Sequence, residues 1–211
     1  MEARRDGGGV PAGEPAGEPV DARERGALCE LLERLGPDAP TLCAGWTTSD
    51  LAAHLVLRER FRRWGDPARA REKAGGFLQL VGKLRSGPPL VPWGLPVART
   101  YLNGLELFVH HEDVRRANGL APRAPASDLE RLCWQACRLL GLRLSRAIRP
   151  FGVELVAGDR RRRFGKGEGV VVAGPASELA LYLSGRRDAA DVEVSGPPAA
   201  LEALGRVMLG L

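Results

Sequence analysis

Residues 106–113 read Glu106-Leu107-Phe108-Val109-His110-His111-Glu112-Asp113, and residues 50–55 read Asp50-Leu51-Ala52-Ala53-His54-Leu55. All three histidines of the chain lie in these two stretches. Glu106 and His110 are four apart, so on a helix one side chain sits a turn above the other on the same face. A carboxylate and an imidazole so placed can grip one cation. His54, on a neighbouring helix, would complete a two-His, one-carboxylate triad with open coordination positions, which is the form of a catalytic rather than a structural metal site. The spacing therefore nominates His54, Glu106 and His110 as metal ligands.

The same stretch decides the fold. From Tyr101 to Val109 the pattern is apolar almost all round, so this helix, running from Pro96 to about Asn118-Gly119, is expected to be central and buried. A carboxylate inside it is costly unless a cation or several donors meet it. Four more helices are expected around it. Residues 21–35 carry a stripe of Leu28, Leu31, Leu32 and Leu35, stopped by Gly36-Pro37. Thr47 and Asp50 read as a capping box for a second helix with His54, Leu57, Phe61 and Trp64 on one side. A third is expected over about 68–85. Ser127 and Glu130 read as a second capping box, opening a fifth helix that ends near Pro150.

After Pro150 the grammar changes. Residues 151–156 alternate, Gly158-Asp159 can turn a hairpin, and 169–173 read as a short buried strand. A helix over 176–184, a strand at 192–194 and a helix from Pro197 complete a small α/β module. The expected class is α+β, with a helical bundle over 21–150 and an α/β module over 151–211 that closes over the open side of the site. Residues 1–20, rich in Gly, Pro, Glu and Ala with no apolar core, read as a disordered tail and not a secretory leader.

Composition narrows the function class. No apolar stretch approaches the roughly 20 residues needed to span a bilayer, and a cytoplasmic protein without membrane contact is expected. The net charge of +5 comes from arginines mostly interleaved with acids, which reads as a solvated surface. The one run, Arg160–Arg163, is too short to imply a phosphate-tracking groove, so no nucleic-acid partner is expected. Cys29, Cys43, Cys133 and Cys137 form no CxxC pair. Cys133 and Cys137 share a helix face, where small buried hydrophobes are the favoured reading over a soft metal pair.

Other motifs weigh less. His111 points about 100° from His110 and should face elsewhere. His111-Glu112 begins like HExxH, but Arg115 stands where the second histidine belongs. Asp113, on the face of His110, either orients that ring as a supporting carboxylate or pairs with Arg116 or Arg99. Asp50 is explained by capping. Gly165–Gly169 lacks the GKS/T of a phosphate loop and reads as a hairpin turn, and no serine has a GxSxG setting.

Taken together, Gly45-Trp46-Thr47, Asp50-Leu51, His54-Leu55 and Glu106-xxx-His110-xx-Asp113 resemble the N-terminal domain of mycothiol-dependent maleylpyruvate isomerase relatives, within the DinB-like four-helix-bundle metal proteins. Gly174-Pro175-Ala176, Leu181, Ser184-Gly185-Arg186 and 192–196 resemble their C-terminal, SCP2-like module. The resemblance covers roughly residues 21–211. It implies a divalent metal, typically zinc, on His54, Glu106 and His110, and a low-molecular-weight thiol such as mycothiol as cosubstrate. It implies isomerisation or thiol transfer on a small electrophilic substrate by a monomer or homodimer. Asp113 and Arg186 are the catalytic candidates, with Arg186 or Arg187 as the cation for an anionic substrate or thiol. A non-catalytic, metal-binding regulator or sensor is the alternative.

Overall fold

The computed structural model describes residues 18–60, 65–88, 96–123 and 126–208, the stretch 96–102 by its backbone alone. Most of the expected N-terminal tail, Phe61, Trp64 and the Arg99 side chain lie outside the described residues. Among those described, the chain is α+β, with eight helices and one four-stranded sheet. No described helix is long and apolar enough to cross a membrane.

Helices α1 (Val20–Leu35), α2 (Thr48–Glu59), α3 (Asp66–Lys73), α4 (Phe77–Arg85), α5 (Pro96–Ala117) and α6 (Ser127–Ala147) come first. The capping box at the start of α2 forms as expected, with Thr47 and Asp50 reciprocally bonded. The third helix does not run unbroken over 68–85. It divides into α3 and α4 at Gly75-Gly76, where Gly76 takes φ +92°, a left-handed conformation open to glycine at no steric cost. Pro67 sits in the first turn of α3, where its missing N–H costs nothing.

The second capping box also forms differently. Ser127 lies inside α6, whose N-cap is Ala126 with no side-chain bond. Glu130 turns outward to another helix, accepting from the backbone N–H of Ala176 at 2.7 Å and Ser177 at 2.9 Å. It thereby satisfies two buried first-turn donors that have no partner within the helix, and the positive end of α7 (Ala176–Leu183).

Between α6 and α7 run β1 (Gly152–Ala157), β2 (Arg160–Phe164) and β3 (Gly169–Ala173); β4 (Glu193–Ser195) and α8 (Pro198–Gly205) follow. The strand order is β2-β1-β3-β4, with β1 and β3 parallel and the other pairs antiparallel. Gly158-Asp159 turns the β1–β2 hairpin as expected. Gly165–Glu168 is not a hairpin turn, because β2 and β3 flank β1 on opposite sides and the link passes round the start of β1. There Gly152 and Gly169 approach so closely that a Cβ on Gly169 would stand 1.9 Å from the Gly152 carbonyl oxygen.

Two apolar clusters explain why α5 is apolar all round. One takes Leu107 and Val114 of α5 with Leu28 and Leu32 of α1, Leu51 and Leu55 of α2, and Leu80 and Leu84 of α4. The other takes Leu105, Phe108 and Val109 from the opposite side of α5. It joins them to α6, the sheet, α7 and α8, and runs unbroken past Pro150. Helix α5 is thus shared by both halves of the core.

Candidate metal and thiol site

Glu106 sits on α5 one turn before His110, and its Oε1 lies 3.3 Å from His110 Nε2. From α2, His54 brings Nε2 to 3.4 Å of the same oxygen. The three ligand atoms lie within 4.8 Å of one another. A tetrahedral ion with bonds of about 2.0–2.1 Å holds its donors roughly 3.3–3.4 Å apart, so this donor set fits a divalent cation. The His54 and His110 rings meet edge to face at 5.2 Å between centroids, and the Trp46 ring packs against His54 at 5.1 Å with a tilt of 52°.

Glu106 Oε1 collects positive charge. Arg58, one turn after His54 on α2, brings Nε to 3.2 Å of that oxygen and donates from Nη1 to Asn103 Oδ1 at 2.9 Å. Burial works against the carboxylate's charge, but hydrogen bonds from His110 and His54 overcome it and hold Glu106 far below the usual carboxylate range.

The other nitrogen of His110 faces a second cluster. Nδ1 lies 2.8 Å from Oδ2 of the fully buried Asp113. Arg186, in the turn after α7, reaches back across the structure and donates from Nε to Asp113 Oδ1 at 2.8 Å and from Nη2 to Oδ2 at 2.7 Å. Cys43 Sγ stands 3.3 Å from Asp113 Oδ2, 3.7 Å from Arg186 Nη2 and 3.9 Å from His110 Nδ1. Burial opposes ionisation of Asp113, yet the Arg186 and His110 hydrogen bonds hold its pKa down at about 2. Burial likewise opposes charge on His110, but the carboxylates on either side outweigh it and keep the ring protonated well above its ordinary pKa.

The loop before α2 is fastened where it must carry Cys43. The Leu42 N–H donates to the Asp113 carbonyl at 3.1 Å, and Thr41 Oγ1 donates to the Trp46 carbonyl at 3.0 Å. Although Cys43, His110 and Asp113 also present clustered ligand atoms, the cation at this second cluster is the Arg186 guanidinium.

The fold is shared with a thiol-dependent isomerase. A crystal structure of the mycothiol-dependent maleylpyruvate isomerase matches with a TM-score of 0.56 and 18% identity, over 85% of this chain and 93% of that one. A histidine-to-alanine mutant of that isomerase matches with a TM-score of 0.54 and 17% identity over the same shares. No family model matches the chain, and no curated protein matches it.

The structure thus brings His54, Glu106 and His110 to one point and sets Asp113 and Arg186 behind it. Asp113 does not pair with Arg116, which is taken by Glu112 and Glu178. Arg186 is not a free cation awaiting an anion, since Asp113 holds two of its nitrogens. His111 does face elsewhere, with Nδ1 3.0 Å from Glu24. Asp50 caps α2 and also meets Lys73 at 2.7 Å, well away from any ligand role. Cys133 and Cys137 are fully buried in the core, and burial pushes the Cys137 thiol up to about 12. Sequence reasoning missed Cys43 and Arg58. Arg58 was within reach, because it follows His54 by one helical turn; Cys43 lies in a loop, where spacing carries no direction.

Proposed function

We propose that His54, Glu106 and His110 hold a divalent cation, zinc by its preference for this donor set, in a thiol-dependent enzyme acting on a small electrophile by isomerisation or thiol transfer. The observation that carries this reading is the convergence of three ligand atoms from α2 and α5, with Glu106 Oε1 at 3.4 and 3.3 Å from the His54 and His110 nitrogens, the spacing of neighbouring donors on a tetrahedral ion. The likeness to the maleylpyruvate isomerase fold supports a thiol of the mycothiol type. Residues 21–150 form the DinB-like metal-binding bundle of this proposal and 151–211 its SCP2-like module.

The bound cation supplies Lewis acidity, which lowers the pKa of a thiol or water at an open position. The chain's own residues do the rest. Asp113 fixes the His110 ring through Nδ1, so that Nε2 stays turned toward Glu106 and His54. Arg186 keeps Asp113 ionised and ties the turn after α7 to the site, acting as a positioning residue. Arg58 and Asn103 hold the Glu106 carboxylate in place. Trp46 backs the His54 ring and excludes water from that side, itself covered by the Arg69 guanidinium at 4.4 Å.

Elemental analysis of the purified chain beside His54→Ala and His110→Ala tests the first half. About one divalent ion per chain in the wild type, and loss in both variants, is expected; equal metal in all three would refute the triad. Metal-loaded protein screened with low-molecular-weight thiols and conjugated or alkylating electrophiles tests the second half. Metal without any thiol turnover would leave a non-catalytic metal-binding module.

A further inference from the structure

Residues 131–166 hold ten of the chain's 31 cationic and two of its 26 acidic residues, so this segment carries +8 and the remainder −3. Eight of the ten cations sit on two elements that the fold places side by side. Along α6, Arg131, Arg138 and Arg146 recur at spacings of seven and eight, which bring them to one face of the helix, and all three are exposed. Strand β2, at the sheet edge, is Arg160-Arg161-Arg162-Arg163-Phe164. It packs on α6 through Phe164, which abuts Gly141, and through Arg162, whose guanidinium lies 4.7 Å over Trp134 and donates to the Trp134 carbonyl at 2.9 Å. Trp134 falls between Arg131 and Arg138. Two arginine sets that are separate in sequence therefore form one ridge.

This ridge is not neutralised from within. Among the described residues, the side chains of Arg131, Arg138, Arg146 and Arg160 have no hydrogen-bond or ion-pair partner. The one acidic contact is Arg161 with Glu154 at 3.3 Å, with the arginine two-thirds exposed, a pair of little strength. By contrast, Arg116 and Arg123 are tied into Glu112, Glu178 and Glu24.

The chemistry of the ridge selects its partner. All eight of those α6 and β2 cations are arginine, whose planar guanidinium binds phosphate oxygens in pairs. Strand alternation sends Arg161 and Arg163 to the side of the sheet opposite Arg160 and Arg162. A flat bilayer reaches only one of those sides, whereas a chain of phosphates can follow the ridge. Only one large apolar side chain on the α6 face, Leu139, is mostly exposed, far less than a membrane-surface helix buries. From Arg131 to Arg146 the helix covers roughly 22 Å, a length over which a duplex presents on the order of ten phosphates.

We propose that the α6–β2 ridge binds nucleic acid through its phosphodiester backbone, without reading base sequence. Expecting no such partner treated each arginine run by itself; the fold adds them together.

Fluorescence anisotropy with a short labelled DNA duplex, repeated across a salt series, tests this on the full chain. The logarithm of the binding constant should fall linearly with the logarithm of salt concentration, with a slope of about −4 for four to five phosphate contacts. The triple variant Arg131→Gln, Arg138→Gln, Arg146→Gln should make that slope shallower by about 2 to 3. A charge-matched control, Arg34→Gln, Arg71→Gln, Arg206→Gln, removes exposed cations elsewhere and should leave it unchanged. Glutamine keeps helix propensity, and circular dichroism verifies the fold of both variants. Equal loss in both would show attraction by net charge alone and overturn the ridge. No duplex binding at low salt, or binding to phosphatidylserine vesicles without duplex binding, would overturn it as well.

Discussion

Replacing Asp113 by Asn removes one charge from the point where both halves of the chain meet. In the wild type, Oδ2 faces His110 Nδ1, Cys43 Sγ and Arg186 Nη2, while Oδ1 accepts from Arg186 Nε alone. The amide will therefore keep its oxygen in the Oδ2 place and turn its NH2 toward Arg186 Nε, setting donor against donor. The carboxyl pKa is held at about 2 against a reference of 3.8, which is worth about 2 kcal/mol of stability at neutral pH. Because the folded value is depressed, this contribution is fully present above about pH 3.8 and is lost as pH falls through about 2. Urea unfolding of metal-free Asp113→Asn should then show a deficit of about 2 kcal/mol at pH 7, shrinking below pH about 4. In a thermal scan the same deficit lowers Tm by roughly 4–8 °C. With its ring no longer held, His110 should also lose roughly 10–100-fold in metal affinity, read by competition with a chelating dye. A variant as stable as wild type at pH 7, or a deficit unchanged between pH 7 and pH 3, would refute the electrostatic account of this contact.

Three further outcomes follow from the same geometry. Glu106→Gln keeps the shape and helix propensity of the side chain but not its charge, so metal affinity should fall roughly tenfold or more while helix content holds; wild-type affinity would remove Glu106 from the ligand set. Glu24→Gln should cost about 3 kcal/mol at pH 7 by urea unfolding, because His111 and Arg123 offset the burial of this carboxylate and hold its pKa at about 2 against 4.5; that loss should vanish as pH falls through about 2, and a pH-independent loss would contradict it. Glu130→Ala leaves two backbone donors at the start of α7 without their carboxylate and should destabilise by about 1–2 kcal/mol; an unchanged melting temperature would mean that solvent caps the helix equally well.

Local chemistry was legible in the chain wherever one element contains all the parts. The Thr47–Asp50 capping box needs only a short stretch of backbone, and it forms as read. The Glu106–His110 pair needs only helical repeat, and the two side chains do meet. The buried strand at 169–173 and the continuous apolar surface of α5 follow in the same way from which residues avoid water. The Ser127–Glu130 pattern has the same letters as a capping box, yet Glu130 serves α7. Nothing within α6 distinguishes the two uses, because the competing donors lie 46 and 47 residues away.

By itself, then, the sequence determined most of the helices and strands, though not the break of the third helix into α3 and α4, together with the carboxylate–imidazole pair on a buried helix and the change of character after Pro150. Those are consequences of periodicity, capping and burial, all decided within a few residues. Only the tertiary structure decided that His54 meets Glu106 across 52 positions, that Arg186 reaches Asp113 across 73, and that Cys43 stands beside both. It alone laid the arginines of β2 against those of α6. Direction in space between elements comes from how the two apolar clusters pack on opposite sides of α5, and no local pattern carries that information.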